Sequence, residues 1–182
     1  MKLAETLLNS FNTYTNNYEL EENDREMKLR MLEAAISVVE LYLGYDLDEK
    51  NYEEEHTSTG TRKIYLYAQP VQNVFSVMVN GIELSPMDYT VYGNYIKTTN
   101  QKERFPKDAI VDVEYTAGYG KRIPDLIQQT ILRIASLMLQ ESNSNIGTSG
   151  VSLPDGISRS FVSYNNYSKY LQPLEKLRSF EI

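Results

Sequence analysis

The sequence contains no cysteine, no tryptophan and a single histidine, His56. Without cysteine there are no disulfides, thiolate metal sites or cysteine nucleophiles. A Ser-His-Asp triad would have to use His56, and no G-x-S-x-G motif is present. No apolar run approaches the roughly 18 residues of a membrane helix, and the polar N-terminal stretch does not resemble a signal peptide. We therefore expect no membrane segment, no cofactor and no enzymatic activity.

The net charge of −7 is unevenly distributed over the 182 residues. Residues 1–60 hold 14 acidic and 5 basic side chains, whereas residues 61–182 hold 11 and 13. Such an acidic half repels phosphate, so sequence-independent binding of nucleic acid is not expected, and most of the acids should form a solvated face. The fifteen tyrosines are more unusual. Tyrosine is enriched both in strands and at protein interfaces, so its abundance allows either role.

Apolar residues at spacings of three and four predict helices at three places. The helices cover about residues 3–11, 24–43 and 124–141. Asn23 and Glu26 resemble a capping box at the start of the second helix, and Gly44 is a suitable stop after it. The second and third helices are expected to pack on each other. Their predicted core residues are Leu29, Leu32, Ile36, Val39, Ile127, Ile131, Ile134 and Met138, with Leu126, Leu132 and Leu139 widening the apolar stripe of the third helix.

Between these two helices the apolar period changes to two, which predicts a small, mainly antiparallel sheet over about residues 62–116. Asn80-Gly81 between two apolar runs predicts a two-residue hairpin, because both positions tolerate positive φ. Residues 45–61 have no periodicity and are predicted to form an exposed connection. Within this connection His56 follows Glu53–Glu55. We expect a solvated surface histidine there rather than a metal ligand, since consecutive loop residues rarely converge on one ion.

After the sheet, Gly118-Tyr119-Gly120 lacks the spacing of a phosphate-binding loop and is predicted to be a strand-to-helix turn. Residues 143–182 are polar, rich in Ser, Asn and Tyr, and predicted to form a flexible arm that ends in a short helix. The apolar side chains near the end of the arm need a surface on which to be buried, either their own domain or a neighbour. The residues predicted to bind a partner are Tyr164, Tyr167, Tyr170, Leu171, Leu174, Leu177 and Phe180.

Together these patterns predict an α+β fold: a small helical bundle with an inserted antiparallel sheet and an extended C-terminal arm. Residues 1–142 are predicted to form one domain, and residues 143–182 its arm. The acids are numerous, but none stands out in an apolar setting that would raise its pKa for catalysis.

The order of the segments resembles the head-to-tail connector, or adaptor, family of tailed bacteriophages, also described as head-completion or DNA-packaging proteins. The family pattern EAA…V..YLG corresponds to Glu33–Gly44, and its sheet pattern with NG corresponds to Pro70–Val91. The pattern V.YTAGY…P.D followed by a helix corresponds to Val113–Leu139. The tail pattern of spaced serines and a tyrosine corresponds to Ser152–Tyr164, before a closing helix that ends near Arg178.

The resemblance implies a virion protein at the head–tail interface, made in the cytoplasm of the bacterial host. It implies a ring, of twelve copies, bound to the phage portal protein and to the next completion protein, either a stopper or a tail-completion protein. Viral DNA would pass through the channel of the ring without specific binding. The alternatives are a tail-side completion protein, a small acidic metal-dependent hydrolase that uses residues such as Glu53–Glu55, and a monomeric regulatory binding module.

Overall fold

A computed structural model describes residues 3–16, 22–120, 122–143, 150–152, 158–160 and 167–178. The chain divides into two compact units. The helical unit combines Met1–Gly44 with Ile123–Arg178, and the β unit contains Tyr45–Arg122. Helices and antiparallel sheets are therefore segregated along the chain, which confirms the predicted α+β class.

Three helices build most of the helical unit, and each packs against the other two. They are α1 (Leu3–Thr15), α2 (Glu22–Leu43) and α3 (Asp125–Asn143). Six of the eight predicted core residues are buried: Leu32, Ile36, Val39, Ile127, Ile131 and Ile134. Leu29 and Met138 are only partly buried. Leu126 is 46% exposed, so its assignment to the apolar stripe of α3 was wrong. Leu126 lies in the first turn of the helix.

Gly44 ends α2 as predicted. Its φ is 82°, and its N–H donates to the carbonyl of Glu40 at 2.8 Å. A residue without Cβ adopts this left-handed conformation at little cost, so glycine suits the position after the last helical residue.

A buried lysine links α1 to α2. Lys28 is 1% exposed, and its Nζ donates to Oδ1 of Asn12 at 3.0 Å. Asn12 is itself 5% exposed. The hydrophobic pattern gave no sign of this pair, because lysine is a polar residue that is rarely fully buried unless it is paired.

The C-terminal part of the helical unit contains short elements. The strands β8 (Gly150–Ser152) and β9 (Ser158–Ser160) pair antiparallel. Helix α4 (Ser168–Leu171) continues directly into a 3-10 helix, Gln172–Leu177. These two short helices correspond to the short terminal helix predicted for the arm. Proline at position 173 is accommodated near the start of the 3-10 helix, where its missing N–H costs no internal hydrogen bond.

The β unit contains two antiparallel sheets that share a core. Its strands are β1 (Lys50–Thr57), β2 (Lys63–Tyr65), β3 (Val71–Val79), β4 (Ile82–Glu83), β5 (Tyr89–Tyr92), β6 (Tyr95–Thr98) and β7 (Ile110–Ala117). Sheet A has the order β1-β7-β3-β4, and sheet B has the order β2-β6-β5. The core side chains are Ile64, Leu66, Ala68, Val77, Tyr89, Ile96, Phe105, Val111, Val113, Tyr115 and Ala117.

The predicted hairpin joins β3 to β4. Asn80 and Gly81 have φ values of 51° and 77°, and Val79 pairs with Ile82 on either side of them. Asn80 also holds the start of β7, because its Oδ1 accepts from the N–H of Ile110 at 2.9 Å. The turn prediction is confirmed.

Strand β1 lies within residues 45–61, so the prediction that this stretch is an exposed connection was wrong for Lys50–Thr57. All eight residues pair with β7, from Lys50 opposite Ala117 to Thr57 opposite Ile110. The half-buried positions of β1 are occupied by Tyr52, Glu54 and His56 rather than by aliphatic residues. Along β1 the burial of the side chains therefore alternates with a period of two, whereas their hydrophobicity does not.

The turn after β7 requires glycine at position 118. Gly118 has a φ of 113°, and an added Cβ would overlap the backbone of Asp48 and Glu49. The carbonyl of Gly118 accepts from Nε2 of Gln72 at 2.7 Å. The segment thus follows the sheet as a tight turn, as predicted, and its glycine allows a close backbone approach.

Candidate functional site

Tyr167–Arg178, here called the closing segment, holds most of the predicted partner-binding residues. Leu171 is 8% exposed and Leu174 is 0% exposed. Helix α4 contacts α3, and the 3-10 helix contacts both α2 and α3. The two leucines therefore bury their side chains within the chain's own helical unit, which is the first of the two surfaces that the sequence allowed.

Arg178 attaches the end of the closing segment to the last turn of α2. Its Nε donates to the carbonyl of Tyr42 at 3.1 Å, and its guanidinium carbon lies 5.1 Å from the centroid of the Tyr42 ring. A cation at the C-terminal end of a helix also interacts favourably with the helix dipole. The closing segment is thus held by apolar burial at its centre and by a cation at its end.

The remaining predicted partner-binding residues have different environments. Tyr167, Tyr170 and Leu177 are half-buried, so each retains accessible surface in the single chain. Tyr164 and Phe180 lie outside the described residues. Contact of these residues with a partner stays a prediction.

A second candidate surface lies on the outer face of sheet B. Tyr65, Tyr95 and Tyr92 occupy paired positions across β2, β6 and β5, and we call them the tyrosine row. The ring centroids of Tyr92 and Tyr95 are 4.6 Å apart with an interplanar angle of 17°, and those of Tyr65 and Tyr95 are 5.4 Å apart. Tyr65 and Tyr92 are 41% and 42% exposed. Aromatic rings in contact across strands stabilise the sheet and form a rigid surface.

Two lysines extend the tyrosine row along the same face. Lys63 and Lys97 are paired on β2 and β6, two residues from Tyr65 and Tyr95 respectively. The Nζ atom of Lys63 lies 4.4 Å from the centroid of the Tyr95 ring and 5.8 Å from that of Tyr65. This outer face is therefore aromatic and cationic, and the strands of sheet B contain no acidic residue.

The outer face of sheet A has the opposite charge. Glu53 pairs with Glu114, and Glu55 pairs with Asp112, so carboxylates stand directly opposite each other on β1 and β7. We call these four residues the acidic face. Within the described part of the chain none of the four forms an ion pair. Like charges in directly opposed positions destabilise a sheet, so this arrangement is unfavourable for the isolated chain.

Between these surfaces, Glu54 is the centre of a half-buried cluster whose side chain is 11% exposed. Its Oε1 accepts from the Tyr115 hydroxyl and from the N–H of Ala68 at 3.3 Å. Its Oε2 accepts from the N–H of Tyr67 at 3.1 Å and lies 2.9 Å from Nε2 of His56. Because a carboxylate only accepts, the histidine ring donates through Nε2. Three of these four donors attach β1 to β7 and to the chain after β2, and the fourth, His56, lies on β1 itself.

The cluster shifts two pKa values. Burial alone would raise the pKa of Glu54, but hydrogen bonds from His56, Tyr115 and two backbone N–H groups outweigh it and lower that pKa. Burial, followed by the hydrogen bond to Glu54, raises the pKa of Tyr115. Glu54 is therefore an ionised structural carboxylate, unlike a catalytic acid.

The expectation that His56 is solvated was wrong, because its side chain is 10% exposed. Its ring stacks on Tyr67 with centroids 5.0 Å apart. The error came from reading 45–61 as a loop, whereas the strand turns Glu54 and His56 to the same side.

Within the described residues no group of three or more His, Asp or Glu side chains is arranged to hold a metal ion. Glu53–Glu55 therefore do not form the metal site that the metal-dependent hydrolase alternative requires, because their side chains point alternately to opposite faces of β1. Among the same residues no helix has the length and apolar character needed to cross a membrane.

Sequence reasoning did not identify the tyrosine row or the acidic face as surfaces. A signal for the tyrosine row was present in the alternation of Lys63-Ile64-Tyr65 and of Tyr95-Ile96-Lys97. This alternation places the aromatic and basic residues on one face and the buried isoleucines on the other. The acidic face depends on the register of β1 against β7, two strands far apart in sequence.

Residues 7–150 match the model of a family described as head completion protein. The whole chain is also similar to chains in solved particles of a gene transfer agent (GTA). For the neck of the empty GTA particle, computed with C6 symmetry, the TM-score is 0.61 at 16% identity, covering 99% of this chain and 93% of that one. For the neck of the native particle, computed with C12 symmetry, the values are 0.59 and 14%, covering 99% and 92%.

A chain in the virion of the native GTA particle gives a TM-score of 0.61 at 14% identity and covers 100% of this chain and 94% of that one. At these identities the likeness shows a shared fold. Among curated proteins none matches the chain significantly.

Proposed function

Since the chain belongs to the head completion protein family, we propose that its copies form a dodecameric ring that docks on the portal and extends the DNA channel. Membership confirms the predicted resemblance to head-to-tail connector proteins and makes the chain a structural protein of the virion. The ring would link the head to the next completion protein, either a stopper or a tail-completion protein. We propose no catalytic role.

The observation that carries the proposal is the extent of the family match. It runs from within α1 through residues 45–122 of the β unit and α3 to the first residue of β8, and so includes the three main helices and both sheets of the β unit. The similar chains in the neck of the GTA particle, computed with C6 and C12 symmetry, support a cyclic arrangement, and the C12 symmetry of the native particle supports a copy number of twelve. We propose that residues 1–142 act as one connector domain and that residues 143–182 act as its arm.

The predicted partner-binding residues of the closing segment fall into two groups, one that anchors the segment and one that is available for contact. Leu171 and Leu174 are buried against the helical unit and would hold the segment in place. Tyr167, Tyr170 and Leu177 retain accessible surface. We propose that these three, with Tyr164 and Phe180, contact the portal or a neighbouring copy.

Charge supports the proposed relation to DNA. The formal charge of the chain is −7, and residues 1–60 hold 14 acidic side chains against 5 basic ones. A protein with few positive charges facing the duplex binds its phosphates weakly, because it releases few counterions. Viral DNA would therefore pass through the channel without being held.

The test is an affinity pull-down of the tagged full-length protein from cells that produce the parent phage, with partners identified by mass spectrometry. Recovery of the portal protein together with a tail-completion protein is the expected result. Recovery of tail components without the portal would instead favour a tail-side completion protein. Recovery of the protein alone would refute the proposal, and a monomeric state of the purified protein in solution would not, since a portal can serve as the template for the ring.

Substitutions in the closing segment test its proposed contact with the portal. Tyr170→Ser with Leu177→Ser should reduce portal recovery about tenfold while leaving the fold intact, because both side chains are only half-buried. Gln172→Ser, at an exposed position of the same segment, is the matched control and should recover the portal normally. Equal recovery with both variants would remove the closing segment from the portal contact.

A further inference from the structure

We propose that within the ring the tyrosine row and lysines of one copy dock on the acidic face of the next copy. The inference rests on the proposed ring and names the surfaces that would form its subunit contact. The occupant of each face is thus a second copy of this chain. Three observations carry it: the placement of the two faces, their charges and the rigidity of the aromatic surface.

The two faces lie on opposite sides of the β unit. Val77, Val113 and Tyr115 of sheet A share a core cluster with Ile64 and Ile96 of sheet B. The inner faces of the sheets therefore meet at this core, and their outer faces point away from each other. A contact that joins two different faces of the same unit is heterologous. Repeated from copy to copy, such a contact forms a ring when its rotation closes, whereas a self-complementary contact would stop at a dimer.

The charges of the faces are complementary. The strands of sheet B contribute Lys63 and Lys97 and no acid. The acidic face contributes four carboxylates, and the one lysine in the strands of sheet A, Lys50, lies 2.7 Å from Asp46. Docking would place lysines beside the opposed pairs Glu53–Glu114 and Glu55–Asp112. The cross-strand repulsion of the isolated chain would become an attraction in the assembly.

The tyrosine row suits a protein contact. Tyrosine provides a large surface that loses little conformational entropy on binding, and these rings already constrain one another. Tyr92 and Tyr95 stack with centroids 4.6 Å apart. The net charge of −7 disfavours nucleic acid as the occupant and so favours another protein surface.

Cysteine cross-linking tests the contact, because the natural chain contains no cysteine. The full-length variant Tyr95→Cys with Glu114→Cys is produced in cells that make the parent phage, and purified particles are treated with a short bis-maleimide. Each single variant is treated in parallel as a control. The proposal predicts a ladder of cross-linked oligomers for the double variant, and no cross-linked species for either single variant.

Three other outcomes would overturn either the inference or the proposed function. A dimer from Tyr95→Cys alone would indicate a symmetric contact of the tyrosine rows and would overturn the inference. The absence of a ladder, with the double variant present in the particles, would also overturn it while leaving the proposed function intact. Absence of even the untagged natural protein from the particles would refute the proposed function itself.

Charge reversal provides an independent measurement. Lys63→Glu with Lys97→Glu should lower incorporation into particles at least about tenfold, and so should Glu53→Lys with Glu114→Lys, since close charge pairs across an interface couple strongly. A chain that carries all four changes has complementary faces again and should recover most of the incorporation. Failure of this combination to recover, with normal folding by circular dichroism, would contradict the charge pairing. So would normal incorporation of either reversed variant.

Discussion

Glu54→Gln tests whether one carboxylate organises the β unit. Glutamine has nearly the shape of glutamate but only one acceptor oxygen. The Tyr115 hydroxyl can turn to accept a hydrogen bond, and the His56 ring can change tautomer. The backbone N–H groups of Tyr67 and Ala68 cannot adapt, so one of them must face the amide NH2 of the new side chain in either orientation.

The expected cost follows from these contacts. A hydrogen bond to a charged group contributes about 1.5–3 kcal/mol. That contribution is what glutamine loses, because the Ala68 N–H keeps the Tyr115 hydroxyl as a second acceptor at 3.1 Å and the Tyr67 N–H can bond to water. We expect Glu54→Gln to lower the free energy of unfolding of the β unit by about 2 kcal/mol at pH 7. Glu53→Gln is the matched control. It changes the next residue on the exposed face opposite Glu114, and removing one of two like charges should be neutral or slightly stabilising.

Amide hydrogen exchange followed by mass spectrometry is the suitable assay, because two compact units can unfold separately and a single melting curve would mix them. Peptides that cover β1 and β7 should exchange about 30-fold faster in Glu54→Gln than in the natural chain, the equivalent of 2 kcal/mol. Protection in α2 should be unchanged. Equal exchange in Glu54→Gln and Glu53→Gln would refute the assigned role of the cluster.

The effect also has a defined pH dependence. The pKa of Glu54 is lower in the folded chain than in the unfolded chain, so its ionised form stabilises the fold. This stabilisation is complete above the unfolded pKa of about 4.3 and is lost as the pH falls through the folded pKa. The difference between the natural chain and Glu54→Gln should therefore be constant near neutral pH and shrink below about pH 4. A difference that persists unchanged at low pH would show that shape, and not charge, sets the cost.

Three other substitutions test packing, each by chemical denaturation of the full-length chain. Gly118→Ala should destabilise by at least about 3 kcal/mol through its positive φ and its overlap with the backbone of Asp48, whereas Gly93→Ala, with open space around it, should change stability by less than about 1 kcal/mol. Leu174→Ala should cost about 2–5 kcal/mol, and a loss below about 1 kcal/mol would contradict its burial. Lys28→Ala should cost about 2–4 kcal/mol and be non-additive with Asn12→Ala by about 1 kcal/mol or more, and simple additivity would refute the buried pair.

The parts of the fold that the sequence predicted well are those in which burial and hydrophobicity agree. Leu32, Ile36 and Val39 recur at helical spacing and are buried. Asn80 and Gly81 predicted their turn because few other residues adopt its backbone angles. In both cases a local preference and the tertiary environment require the same residue type.

The predictions failed for polar side chains that are buried because other parts of the chain supply their hydrogen-bond partners. Glu54 and His56 occupy half-buried positions of β1 because donors and acceptors from distant strands surround them. Lys28 is buried for a similar reason, with Asn12 of α1 as its acceptor. Lys28 and Asn12 are 16 residues apart, and Glu54 and Tyr115 are 61 residues apart, so no window of local hydrophobicity could reveal these contacts. The faces of the two sheets likewise depend on strand register.

The division of the chain into units has a consequence for how the protein is made. Among the described residues the β unit is one continuous stretch, Tyr45–Arg122, whereas the helical unit needs both Met1–Gly44 and the later segment Ile123–Arg178. During translation the β unit can therefore fold as soon as it leaves the ribosome. At that stage α2 has been synthesised but α3 has not, so the apolar stripe of α2 is not yet buried against α3. The last turn of α2 receives its Arg178 contact only after the closing segment has emerged, so the helical unit is completed later than the β unit.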